Sequence, residues 1–147
     1  LAALEGNLKM VTYLVDKGAK WNAIDSAKSN ALHYAASGIQ GKANTAAVKF
    51  LMQKGADYKA LANDKFSLLY LAIKASNIGL VDYIAQELPD LVSKQTCSVS
   101  PLAFARAKHA KAIAEIIQKK LEERGWTLLA IEQKLQHSLG CRHRYFS

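Results

Sequence analysis

Asn30 to Ala60, NALHYAASGIQGKANTAAVKFLMQKGADYKA, decides how the chain is read. Asn30 can accept an N–H of a first helical turn, and Leu32, Ala35 and Ala36 then share one face. Gly38 and Gly41 interrupt this pattern, and Asn44 can cap a second helix in which Ala47, Val48, Leu51 and Met52 recur as a buried stripe. Lys49, Gln53 and Lys54 fall on its water side, and Gly55 supplies the left-handed residue that ends it. The stretch is therefore a helix pair closed by a glycine turn.

The pair is repeated. Ala2, Ala35, Ala72 and Ala105 correspond, spaced by 33, 37 and 33 residues, and the longer spacing places a four-residue insertion within 38–43. Gly18-Ala19-Lys20-Trp21-Asn22-Ala23 matches Gly55-Ala56-Asp57-Tyr58-Lys59-Ala60 position for position. Asn7, Asn44 and Asn77 take the second-helix cap, and Asn30, Ser67 and Ser100 the first. A fixed period near 33 residues marks a stacked-repeat architecture.

The first-helix openings read Asn30-Ala31-Leu32-His33-Tyr34-Ala35, Ser67-Leu68-Leu69-Tyr70-Leu71-Ala72 and Ser100-Pro101-Leu102-Ala103-Phe104-Ala105. With the period, they resemble the T-P-L-H-x-A signature of the ankyrin repeat over roughly residues 1–121, although only the second unit keeps the histidine. The resemblance implies an all-α solenoid of about four helix pairs with projecting hairpin fingers. It also implies a protein-recognition scaffold, in which the His33 ring bonds to backbone of the neighbouring turn.

Ankyrin repeats are expected over 1–125, the first truncated, with a capping helix and basic tail over 126–147. Leu128, Ile131, Leu135 and Leu139 form the stripe of that helix, which suits docking on the fourth unit. The chain opens at Leu1 within a repeat, so a further repeat or cap is expected upstream. Leu88-Pro89 stands where other units have Gly-Ala; the helix should stop near Glu87 and the finger of 90–99 should be displaced or shortened. Arg106 to Lys111 lacks the usual glycine, and the alanine phase favours a tight turn over a merged helix.

By analogy with the family, the fingers are Ile24 to Asn30 and Leu61 to Ser67, and partners bind through the concave face and finger tips. This implies a partner-binding patch of Ile24, Ser26, Ser29, Leu61, Asn63, Asp64, Phe66 and Lys74. Leu61 and Phe66 are apolar either as interface anchors or because they tuck against the neighbouring finger. Trp21 and Tyr58 read better as packing between fingers than as aromatic contact sites.

The chain carries 20 Lys and Arg against 12 acids, and the C-terminal third is the most basic. That end is either a solvated helix face or a patch for an acidic surface. Nothing matches a specific nucleic-acid-reading motif, and no apolar run reaches the ~18 residues of a membrane span. Cys97 and Cys141 form no C-x-x-C, which fits a reducing compartment without a structural disulfide. His137, Cys141 and His143 lack a fourth ligand for zinc. No catalytic, cofactor or metal site is expected, and the chain reads as a non-enzymatic, monomeric, cytoplasmic binding module for a protein of unknown identity. The alternative is the targeting portion of a larger enzyme or of a pathogen effector delivered into a host cytoplasm, since the divergent repeats also resemble irregular bacterial ankyrin proteins.

Overall fold

Asn30 begins the second unit: its Oδ1 accepts the His33 N–H at 3.0 Å, and its own N–H donates to His33 Nδ1 at 3.2 Å. This reciprocal capping box starts helix α2, Ala31–Ser37. The computed structural model describes residue 3 and residues 7–38, 45–62, 65–94, 99–127, 129–131 and 133. The other helices are α1 (Leu8–Asp16), α3 (Thr45–Gln53), α4 (Leu68–Lys74), α5 (Ile78–Glu87), α6 (Asp90–Ser93), α7 (Pro101–Ala107) and α8 (Lys111–Glu123). Among the described residues there is no strand.

The pairs are α2–α3, α4–α5 and α7–α8, with α1 the second helix of the leading unit. First helices stack in the order α2, α4, α7, while α1 packs on α3 and α5 on α8. Stacking buries one continuous core, because no helix pair can cover its apolar face alone. Ala35, Ala72 and Ala105, the residues that set the repeat period, are fully buried, as are Val48, Leu51, Leu80, Ile84 and Ile117. Small side chains there let neighbouring first helices approach closely.

The caps carry the period into the backbone. Asn7 accepts from the Met10 N–H and Asn77 from the Leu80 N–H, both at 3.0 Å, and Ser100 accepts from the Ala103 N–H at 3.3 Å. Ser67 occupies the corresponding cap position, but its buried hydroxyl makes no cap bond and has no partner. Asn44 and residues 39–43 of the insertion lie outside the described residues.

Five helices end alike, with the residue after a left-handed one donating back five positions. These are Ala19 to Leu14, Ala56 to Leu51, Asn77 to Ala72, Ala110 to Ala105 and Trp126 to Leu121. Glycine takes the left-handed position at 18, 55 and 125, but Ser76 and His109 take it with φ +56°. The Arg106–Lys111 segment is thus a turn, as expected. A β-carbon at such a position is strained, so Ser76→Gly is expected to raise stability by about 0.5–1 kcal/mol after allowing for the freer unfolded chain. A urea midpoint that does not rise would contradict this.

At the proline exit α5 stops at Glu87, as expected, but the segment read as the start of a displaced or shortened finger is instead the short helix α6, with Leu91 and Val92 buried, and residues 95–98 lie outside the described residues. At the far end, Thr127 Oγ1 accepts the Ala130 N–H at 3.1 Å, starting a helical segment at 129–131. Ile131 of that segment is buried and, with Val92, Pro101, Leu102, Leu121 and Trp126, lines a small crevice. Leu135, Leu139 and both cysteines lie outside the described residues.

Candidate functional site

The first finger is held in one shape by Asp25. Its Oδ1 accepts the N–H groups of Ala27 and Ser29, each at 2.9 Å. Asp25 N–H donates to the Ser29 carbonyl at 3.0 Å, and Lys28 N–H to the Asp25 carbonyl at 3.0 Å. Lys28 itself is left-handed, φ +56°, which makes this a three-residue hairpin turn with its bulge at Lys28. The remaining carboxylate oxygen accepts the Tyr34 hydroxyl, pinning the finger to α2. The Tyr34 hydroxyl and then the Ser29 N–H hold the Asp25 carboxyl below its ordinary range, while the same contact pushes the Tyr34 hydroxyl up.

On this finger Ile24 is 66 % exposed, Ser26 is exposed and Ser29 half-buried. The second finger shares two of these features: Ala62 N–H donates to the Phe66 carbonyl at 3.0 Å, and Lys65 is left-handed, φ +60°. Leu61 is half-buried and Lys74 exposed on α4, while Asn63 and Asp64 lie outside the described residues.

Phe66 departs from the expected exposed anchor. It is only 8 % exposed, stacked on Tyr70 with centroids 5.9 Å apart and edge-on to Phe104 at 5.7 Å. Tyr70 and Phe104 also meet edge-on at 5.4 Å, closing a three-ring cluster between α4 and α7. Lys74 Nζ sits 5.7 Å from the Phe66 centroid, so the finger position belongs to the core and the lysine roofs it. Phe66 is thus buried, but against the rings of α4 and α7 rather than against the neighbouring finger.

His33 is 2 % exposed, and its Nε2–H donates to the Ala60 carbonyl at 2.9 Å. Nδ1 accepts from Asn30, so the ring is neutral with both nitrogens used. Burial lowers its pKa, opposed first by the Ala60 carbonyl and then by the charges of Asp25 and Asp57. In the third unit Tyr70 fills the histidine's place, its hydroxyl donating to the Val99 carbonyl. Trp21 and Tyr58 are half-buried against the core, with the Trp21 ring over Gly55.

At the basic end, Arg124 pairs with Asp90 at 3.3 Å, Lys120 with Glu123 at 3.2 Å, and Arg106 donates to Gln118. Of these contacts only the Lys120–Glu123 pair lies within α8. Among the described residues no group of His, Cys, Asp and Glu could hold a metal, and no helix is long and apolar enough to cross a membrane.

Sequence reasoning missed Lys28, Lys65 and the Asp25–Tyr34 contact. The signal was present, since the two lysines are separated by the same 37 residues as Ala35 and Ala72.

Residues 1–95 match the family model for ankyrin repeats, described as three copies. No curated protein matches the chain. Solved structures do match, among them the crystal structure of the human ASB11 ankyrin repeat domain, with a TM-score of 0.68 at 20% identity. That likeness covers 80% of this chain and 51% of the ASB11 chain, so the fold is shared and this chain spans about half the length of that one.

Proposed function

Because the chain belongs to the ankyrin-repeat family, whose members are generally protein-interaction modules, we propose that it binds a partner protein through the concave face and finger edge of its stack. Ile24, Ser26, Ser29, Leu61 and Lys74 form the described part of the site, with Asn63 and Asp64 assigned to it by their place on the second finger. One observation carries this reading. Ile24 is an apolar side chain held in water on a finger that Asp25 and Tyr34 keep in one conformation. A rigid finger loses little entropy on binding, and a large apolar side chain ringed by polar groups is the composition of an interface anchor.

Phe66 has no part in the anchor, since its ring already serves the core. A partner bound here should lose affinity by about 1–3 kcal/mol when Ile24 becomes Ala. Lys49→Glu on the water face of α3 and Lys54→Glu just past its end should leave it within about threefold. Proteins retained from extract by the immobilised chain, identified by mass spectrometry and measured again with each variant, provide the check. Equal loss from the α3 changes, with none from Ile24→Ala, would move the site to the outer face.

A further inference from the structure

We propose that the finger edge grips an extended acidic segment of a partner protein, with Lys28 and Lys65 holding its carboxylates; this deepens the binding reading above and rests on it. Each lysine is left-handed, φ +56° and +60°, and directly precedes the residue whose carbonyl accepts the bond that closes its finger. Glycine meets that backbone demand without strain, and a residue with a β-carbon does not. The chain nevertheless places the same cation there in both fingers. Strain kept twice for one charge points to use of that charge.

Among the described residues the two cations are not spent internally. Neither lysine forms an ion pair with a described carboxylate. Asp25, the acid nearest Lys28 in sequence, is engaged by two backbone N–H groups and the Tyr34 hydroxyl. Lys74 adds a third exposed ammonium beside the second finger. Ile24 and Leu61 lie at the bases of the two fingers, so the edge offers ammonium groups at the tips and apolar side chains beneath them. Lysines on successive fingers, rather than around one pocket, suit a ligand that runs along the stack.

The chemistry favours polypeptide over nucleic acid. Single-stranded nucleic acids are held on exposed aromatic platforms. Here Phe66 is buried, and Trp21 and Tyr58 pack against the core. An exposed isoleucine matches an aliphatic side chain set among Asp and Glu.

The test uses fluorescence anisotropy with a short labelled peptide of Glu, Asp and Leu. Its comparators are a Lys and Leu peptide of equal length and a single-stranded oligonucleotide of equal charge. The acidic peptide should bind selectively and weaken as salt is raised. Lys28→Gly with Lys65→Gly should weaken it about three- to tenfold at low salt. The same double variant should melt no lower than the parent, because glycine fits both turns, and this separates lost charge from lost fold. Unchanged affinity in the double variant, or equal binding of the oligonucleotide or of the basic peptide, overturns the proposal. Partner capture abolished by Ile24→Asp but indifferent to the glycine pair would overturn the acidic preference alone. Capture indifferent to both would overturn the site itself.

Discussion

Phe66→Ala is expected to remove about 3–5 kcal/mol of folding stability, the cost of emptying a buried aromatic site that its surroundings cannot refill. The ring contacts Tyr70 from its own unit and Phe104 from the next, so the loss falls on the joint between α4 and α7. Shrinking it to alanine also strips the roof contact of Lys74 and admits water beside the Tyr70 hydroxyl bond to Val99. Phe66→Leu keeps most of the volume and should cost less than half as much. Denaturant unfolding followed by helical ellipticity supplies the measurement, with Ile24→Ala as the exposed comparison expected within about 0.5 kcal/mol of the parent. A Phe66→Ala loss as small as that of Ile24→Ala would mean that the three-ring cluster contributes nothing to the stack.

The same residue shows where sequence reading ends. Period, caps and helix ends were legible because each is local: Asn7, Asn30 and Asn77 bond three residues ahead, and Gly18, Gly55 and Gly125 close the helix just before them. The proline exit at Leu88-Pro89 was legible for the same reason. Burial of Phe66 depends on Phe104, which is distant in sequence and comes near only when the units stack. Register with the repeat placed it among the variable finger positions, and register carries no information on what the next unit brings against it.

The cap at Ser67 shows a second limit. A serine at the right offset predicts a bond, yet the hydroxyl is buried without a partner while Asn30 and Ser100 make theirs. Residue type and spacing name the donor, whereas the rotamer is set by packing. At the fingers register alone named the candidate positions, but not the turn that holds them. The match of Lys28 with Lys65 at the repeat spacing was in the sequence, but Asp25 as the organiser and the left-handed backbone at both lysines appear only with the hydrogen bonds and dihedral angles. A chain that relies on lysine where glycine would serve carries no local mark of it.

His33 joins the second unit to the turn that follows it, and its replacement is the other large expected effect. His33→Leu preserves volume but leaves the Asn30 N–H without its acceptor and the Ala60 carbonyl without its donor. At about 1–3 kcal/mol for each buried group left unpaired, and with partial relief from water at the edge, the loss should be about 2–4 kcal/mol. The pH dependence identifies the cause. The folded pKa lies below the ordinary 6.5, because burial disfavours the charged ring. A second ring proton would also set Nδ1–H against the Asn30 N–H. Below pH ~6.5 the unfolded chain therefore takes up a proton that the folded ring still refuses. The stabilisation is complete above 6.5 and declines as pH falls toward the lowered folded value. Parent and His33→Leu melting temperatures should accordingly lie furthest apart at neutral pH and converge toward pH 5. A gap that widened on acidification would show the folded ring to be the better base, and the neutral, doubly bonded imidazole would be the wrong assignment.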